Sequence, residues 1–415
     1  MASLSSIIFY ILSFLALYVQ VFFLVTFFEN RKKIISRTGK VKLKNYKPVT
    51  IIVPCWNEET TIDKTVKSIL DLNYPKDKLH VFLIDDGSSD STWEVLQKYQ
   101  NIPNFKIFKK ENGGKHTALN FGLGKLETDY IGCLDADSVA HPDAVNRIMS
   151  YFENDNTLMA VAPSIIVVND KKIIQNAQSA EYYMAVYIKK MLGFLGGIHV
   201  TPGPLTIFKK KVFDDLGPYR HAHNTEDMEI AYRMQINGYK IEQCNDAFVY
   251  TNTPNTVYKL YKQRLRWIYG FINNTIDYKK FLFKSKYGNF SLFTVPAGII
   301  SIFAASYLFF RFIYNISQLI YNKFIEYQAV GLDLNINKTL TFDPFFISTK
   351  AFFFITIVLY ALVITSMLLG SRIAKNKWSL SVNMFYFFFI YSVIAPFWLM
   401  RAVYNTLISK KPSWR

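Results

Sequence analysis

The chain has 415 residues, half of them hydrophobic and 17% aromatic, with 48 Lys and Arg against 31 Asp and Glu for a net charge of +17. That length holds one large globular domain plus several membrane segments, and the basic residues cluster beside apolar runs rather than along a recognition helix, which argues against nucleic acid as a partner. Cys55, Cys133 and Cys244 are isolated, without a CxxC pair, which suits a reducing cytoplasm and argues against a zinc site or a disulfide framework.

In chain order, the first element is an uncharged run from Ile7 to Phe28, long enough to cross a ~30 Å hydrocarbon core as a helix. No basic stretch precedes it and no small-residue cleavage site follows, so residues 1–28 read as a transmembrane anchor rather than a signal peptide. A basic linker, 29–48, comes next, with Arg31, Lys32, Lys33, Arg37, Lys40, Lys42 and Lys44. The positive-inside rule then puts the N-terminus outside and the following domain in the cytoplasm. The expectation is a multi-pass integral protein of the plasma membrane, with its basic face against anionic headgroups.

Residues 49–254 read as a globular domain. Val49 to Pro54 is a β-branched strand followed by a helical pattern through Leu72. His80 to Ile84 is a second strand ending in Asp85-Asp86-Gly87, with a helix from about Ser89 to Tyr99. Phe105 to Phe108 is a third strand, Asn112-Gly113-Gly114 turns into a helix, and Tyr130 to Leu134 is a fourth strand ending at Asp135. Alternation at this spacing predicts βαβ units in an α/β fold with a mainly parallel sheet, whose ligand crevice lies outside the carboxyl ends of the strands.

Residues 255–288 are basic and aromatic, and the stretch from Val257 to Phe271 predicts an amphipathic helix on the membrane surface. Residues 289–408 contain the uncharged runs Phe290 to Phe310, Ala351 to Gly370 and Leu380 to Met400, so three or four transmembrane helices are expected. Four crossings in all would leave the basic tail, 409–415, outside, against the positive-inside rule. A cytoplasmic tail is favoured, with a fifth crossing or an interfacial helix within Ile316 to Val330.

Several short motifs carry chemistry. Asp135-Ala136-Asp137 places two carboxylates at i and i+2 just past a buried strand, where they can share one Mg2+ or Mn2+ with a diphosphate; alone, the same tripeptide is an ordinary turn. Asp85-Asp86 alone is likewise turn chemistry. Gly113-Gly114-Lys115 lacks the spacing of an NTPase phosphate loop, although Lys115 at a helix N-terminus suits a diphosphate. Thr225-Glu226-Asp227 opens a helix running through Met234. Thr225 alone is best read as its N-cap, while Asp227 is a candidate general base. Gln263-Arg264-Leu265-Arg266-Trp267 suits either a membrane anchor or a diphosphate-gripping Arg266 beside a sugar-stacking Trp267. His199, His221 and His223 lack metal-ligand spacing.

The order of these motifs, Asp85-Asp86, Asp135-x-Asp137, Thr225-Glu226-Asp227 and Gln263-x-x-Arg266-Trp267, resembles the family 2 processive glycosyltransferases, which include cellulose, chitin, hyaluronan and poly-N-acetylglucosamine synthases. The resemblance covers roughly Val49 to Trp267. It implies a GT-A type nucleotide-sugar-binding domain plus transmembrane α-helices, and inversion of the anomeric centre in one displacement. It further implies that Pro54, Asn57, Glu58, Asp85, Asp86, Lys115, Asp135 and Arg266 bind the nucleotide sugar. Asp135 and Asp137 would hold Mg2+ or Mn2+. Asp227, with Glu226 beside it, would supply the base, and Gly203, Pro204, Gln263 and Trp267 would line the acceptor. Trp56 stands where the family often has Tyr or Phe, and Lys209 where Arg is usual. The expected partners are a UDP-sugar donor, a glycan or glycolipid acceptor, the bilayer, and an accessory subunit or oligomeric copy. A non-processive glycolipid-forming transferase is the nearest alternative. A non-catalytic nucleotide-sugar sensor or scaffold is disfavoured by the intact acidic motifs.

Overall fold

The computed structural model of the protein describes residues 4–34, 41–168, 172–331, 351–378 and 381–412. Arg37 and Lys40 of the basic linker, Leu380 of the last apolar run, and Ser413, Trp414 and Arg415 of the tail lie outside the described residues. The chain divides into two compact units, Met1–Phe22 with Ala297–Ile364, and Phe23–Pro296 with Thr365–Arg415.

The second unit holds the globular domain. Its elements in order are β1 (Val49–Cys55), α2 (Ile62–Leu70), β2 (Leu79–Asp85), α3 (Thr92–Gln97), β3 (Phe105–Lys109), α4 (Lys115–Leu123), β4 (Tyr130–Cys133), β5 (Ser138–Ala140), α5 (Ala144–Asn154), β6 (Leu158–Val168), α6 (Ile173–Phe194), β7 (Thr206–Lys209), α7 (Lys211–Leu216), α8 (Glu226–Ile236), β8 (Lys240–Asn252) and α9 (Val257–Asp277). The helix α1 (Leu4–Asn30) precedes them. The eight strands form one sheet in the order β3-β2-β1-β4-β7-β6-β8-β5. The half built from β1 to β4 is parallel, as the spacing predicts. Beyond it, β7 pairs antiparallel with β4 and β6, β8 returns parallel to β6, and β5 closes the edge antiparallel to β8. Every residue of β1 is buried, the mark of a strand covered on both faces. Ile51, Val53, Val81, Leu83 and Ile207 form the centre of the core.

Among the described residues, four helices are long and apolar enough to cross a membrane: Leu4–Lys33, Phe290–Ala329, Phe354–Lys375 and Val382–Leu407. The last three correspond to α10 (Val295–Val330), α11 (Ala351–Lys375) and α12 (Val382–Leu407). Ile316 to Val330 is no separate element. It is the second half of α10, which carries no break because no Pro or Gly interrupts the sequence there. In the first unit, Arg311 of α10 donates to the carbonyl of Ser5 at 3.0 Å, which satisfies the cation that follows the uncharged first half of that helix.

In the second unit, α12 packs along the globular domain. Thr406 accepts a 3.0 Å hydrogen bond from Asn273 of α9, and the Tyr391 hydroxyl donates to Glu181 of α6. Met384, Trp398, Leu399, Ala402 and Asn405 are buried, while Phe385, Phe389, Val393 and Phe397 are exposed. Those four recur at every fourth residue and so form one row along the helix. After Leu407 the chain turns back through Ser409 at φ +54°, with Lys410 N donating to Asn405 O at 2.8 Å. The start of the basic tail therefore lies beside α9.

Candidate active site

The carboxyl ends of β1 and β2 bring Pro54, Asn57, Glu58, Asp85 and Asp86 to one rim. Asp85 is fully buried. Its Oδ1 accepts from Ser88 N at 3.0 Å, and its Oδ2 has no hydrogen-bond partner among the described residues. A buried carboxylate oxygen without a donor is costly, so this atom is suited to an N–H brought by a ligand. Asn57, at φ +56°, accepts from Ser89 N at 2.8 Å and ties the rim to the next loop. Asp86 is engaged differently. It accepts from Lys110 Nζ at 2.5 Å, Gly113 N at 3.2 Å and Gly114 N at 2.8 Å. The two glycine amides therefore face Asp86, and Lys110, which the motif reading passed over, holds the loop closed.

That loop delivers Lys115 to the centre of the site. Its Nζ lies 2.7 Å from Asp135 Oδ1 and 3.1 Å from Glu226 Oε1. One cation thus joins the end of β4 to the start of α8, positions 91 residues apart in the chain. Burial opposes the Lys115 charge, but Asp135 and Glu226 outweigh it and hold the ammonium well above its usual range. A Cβ at Gly203 would stand 2.6 Å from Asp135 Oδ1 and 2.6 Å from Lys115 Nζ, so any side chain here would displace this pair.

Asp137 stands next to Asp135. Burial, followed by the charges of Asp135 and Glu58, pushes its carboxyl up to about 6. Crowded, hard oxygen donors of like charge are a fitting donor set for Mg2+ or Mn2+, which relieves the repulsion that raises the pKa. Among the described residues no group of three or more acidic, His or Cys side chains converges on a cation position. The remaining ligands would then be diphosphate and water oxygens, the usual arrangement for Mg2+.

The start of α8 overturns one expectation. Thr225 is at the N-cap position but makes no capping hydrogen bond. Its Oγ1 donates to Ala222 O at 2.8 Å and accepts from Asn274 Nδ2 at 2.9 Å. The reason is the preceding backbone: Ala222, His223 and Asn224 all have positive φ, at 43°, 57° and 61°, an uncommon run for residues with a Cβ, and it turns Thr225 back onto the loop. Local strain of this kind clusters at functional sites. Arg266 of α9 donates to Asn224 O at 2.8 Å, and Gly270, one turn on, leaves room for Thr225, which a Cβ would strike at 2.3 Å.

Glu226 and Asp227 titrate apart. Burial raises Glu226, but Lys115 outweighs it and holds the carboxyl below its usual range. Burial and the neighbouring Glu226 push Asp227 up to about 6, against Lys115 and Arg266. Two adjacent carboxylates with divergent affinities for a proton form a pattern that suits acid–base work. Lys189 of α6, half-buried, has its amine lowered to about 8 by burial while Asp227 pulls it upward; burial and then Lys189 lower His199 to about 4. No motif spacing marks Lys189.

Of the α9 motif, Arg266 joins the site directly. Arg264 instead pairs with Glu181 at 2.6 Å and lies 4.1 Å above the Trp267 ring, so one face of that ring is already covered. Gln263 Oε1 is buried without a hydrogen-bond partner among the described residues. The helix extends past Phe271 to Asp277 and buries Leu260, Arg264, Leu265 and Tyr269. The stretch is therefore one wall of the domain as well as an amphipathic surface, because its basic positions at 264 and 266 find anionic or carbonyl partners inside.

Residues 50–217 match the model of Glycosyl transferase family 2. Residues 50–217 are thus similar to family 2 glycosyltransferases. Two curated relatives are named poly-beta-1,6-N-acetyl-D-glucosamine synthase. That of Staphylococcus aureus (strain COL) is 31% identical over 238 residues, covering 57% of this chain and 57% of the relative. That of Staphylococcus epidermidis is 30% identical over 270 residues, covering 63% and 65%. The matches therefore span less than two thirds of those relatives' length. Among solved structures, the mannosyltransferase PcManGT from Pyrobaculum calidifontis, in complex with GDP-Man and Mn2+, matches 96% of this chain and 99% of its own with a TM-score of 0.58 at 17% identity. That likeness bears on the fold, which is GT-A-like as the motif order implies. Asp85, Lys115, Asp135 and Asp137 lie within the matched segment, and Glu226, Asp227 and Arg266 follow it.

Proposed function

We propose that the chain is a membrane-embedded, inverting glycosyltransferase that moves a sugar from a UDP-sugar onto a growing polysaccharide. The observation that carries this reading is the Lys115 ion pair with both Asp135 and Glu226, which unites the donor-side and acceptor-side carboxylates in one pocket. The names of the two staphylococcal relatives favour UDP-N-acetylglucosamine as donor and a poly-N-acetylglucosamine chain as product. Processive addition, with extrusion through the chain's own membrane segments, completes the reading.

In this mechanism Asp85 accepts an N–H of the base ring through its unpaired Oδ2, and Asp135 and Asp137 would hold Mg2+ or Mn2+. Such a cation, when bound, would supply charge neutralisation at a diphosphate. Asp227 takes the proton of the acceptor hydroxyl as that oxygen attacks the anomeric carbon. The carbon–oxygen bond to the diphosphate breaks, and its electron pair leaves with UDP. A carboxyl near 6 is ionised at neutral pH yet basic enough to share a proton in the transition state. Lys115 stays charged throughout and keeps Glu226 out of that role.

The orientation proposed has the N-terminus outside and the domain in the cytoplasm. With α12 lying along the domain, the tail returns to the cytoplasmic side without a fifth crossing, in keeping with the positive-inside rule. The test is UDP release by purified full-length protein from a panel of UDP-sugars with Mn2+ or Mg2+. Turnover of one donor, silenced by chelator, is expected. Turnover of none, or full turnover in excess chelator, contradicts the assignment.

A further inference from the structure

Between α9 and α12 runs a groove with two unlike halves. The larger, a cavity of about 810 Å3, is lined by Val257, Tyr258, Tyr261, Ile394, Phe397 and Met400, with Arg401 and Tyr404 at its edge. It continues into a space of about 480 Å3 that Lys262, Arg401, Lys410 and Lys411 line together with Asn405. None of these four cations is ion-paired with a carboxylate among the described residues. Two of them are held in place by rings of the groove itself, Lys262 Nζ at 4.7 Å from the Tyr258 centroid and Arg401 at 5.2 Å from that of Tyr404. Lys410 and Lys411 follow the C-terminus of α12, where the helix dipole favours positive charge, and the turn at Ser409 folds them back onto the groove.

We propose that this groove binds an acidic glycerophospholipid, with its acyl chains on the apolar half and its phosphate among Lys262, Arg401, Lys410 and Lys411. The exposed row Phe385, Phe389 and Val393 on α12 runs along the helix to Phe397 in the groove, an apolar strip that suits a helix lying in the bilayer interface. An apolar trough continuous with that surface and ending in four unpaired cations fits a lipid better than a soluble anion, which has nothing to fill the larger half. It fits a zwitterionic lipid poorly, since no described carboxylate is there to meet a choline. The site is independent of the transfer chemistry, but it clamps α9, which carries Gln263, Arg266 and Trp267, to α12.

The test uses full-length protein in nanodiscs of equal phosphatidylglycerol and phosphatidylcholine, then gentle release into detergent and native mass spectrometry of the retained lipid. Wild type is expected to retain phosphatidylglycerol preferentially. Each basic residue is worth about fivefold at an anionic surface, so the Arg401→Gln, Lys410→Gln, Lys411→Gln triple variant should lose preference on the order of a hundredfold. Ile394→Trp, which fills the apolar half, should lose both lipids. Millimolar inorganic phosphate should leave the bound lipid in place. Equal retention of both lipids by wild type, an unchanged preference in the triple variant, or displacement by phosphate overturns the proposal. Independently of any variant, photoactivatable phosphatidylglycerol should label peptides spanning Tyr258–Tyr261 and Ile394–Tyr404 in wild type; labelling confined to other segments overturns it as well.

Discussion

Arg266 reaches from α9 to donate a 2.8 Å hydrogen bond to the carbonyl of Asn224, three residues ahead of Asp227. It thus closes the run of three left-handed residues that aims the start of α8, and its charge favours the ionised forms of Glu226 and Asp227.

Removing Arg266 should act on both counts. In Arg266→Ala the rate is expected to fall at least tenfold, and the acidic limb of the pH–rate profile should move to higher pH, because Asp227 loses a cation that eases its ionisation. Arg266→Lys keeps the charge but not the planar fork, so it should restore the pH profile more fully than the rate. An unmoved profile in Arg266→Ala would show that the residue acts only as an anchor.

The base assignment predicts a distinct pattern for Asp227. With its carboxyl near 6, kcat should rise about tenfold per pH unit below that value and level off above it, since the ionised form is the one that accepts the proton. Asp227→Asn should lower kcat by roughly 10²–10⁴-fold and flatten the acidic limb, while UDP-sugar binding by calorimetry stays within a few fold. Activity within a few fold of wild type would reduce Asp227 to a residue at a helix start.

Gly203→Ala tests the pairing at the centre. The new Cβ would stand 2.6 Å from both Asp135 Oδ1 and Lys115 Nζ. These are ends of flexible side chains, so the fold should survive with little change in Tm. The displaced pair should weaken donor binding and cut turnover by at least tenfold. Unaltered kinetics would mean that the Lys115–Asp135 contact is incidental.

Gly270→Ala separates packing from chemistry. Here the Cβ meets Thr225 Oγ1 at 2.3 Å and Cγ2 at 2.4 Å, on a β-branched side chain with little rotamer freedom. Overpacking of this kind costs about 1–3 kcal/mol, so Tm should fall by several degrees and activity should drop with it. A stable, fully active variant would show that the loop before α8 yields easily.

The parallel half of the sheet and its acidic strand ends were legible because β-branched runs, turn residues and aspartates recur there at short range. The antiparallel half was not: β6, β7 and β8 pair across 46 to 84 residues, and no local pattern sets that order. Thr225 shows the limit of a local rule. Its sequence context is that of an N-cap, but the left-handed backbone at Ala222–Asn224 and the reach of Asn274 redirect its hydroxyl. Lys110, Glu181 and Lys189 escaped notice for a related reason. Each acquires its role only through a partner far along the chain, Asp86, Arg264 and Asp227 respectively. The α9 motif left two readings open, a surface anchor or a gripping Arg266 beside Trp267, because its charges alternate with aromatics; in the fold Arg264 and Arg266 find partners within the domain.

The most direct test of processive transfer is the length of the product. Purified full-length protein is given limiting acceptor, excess UDP-N-acetylglucosamine and Mn2+ or Mg2+, and the labelled product is sized while most acceptor is still unused. Long chains beside untouched acceptor are expected, and none with Asp227→Asn. A product that carries one added sugar and grows no further, on a lipid or on a glycan, would contradict it.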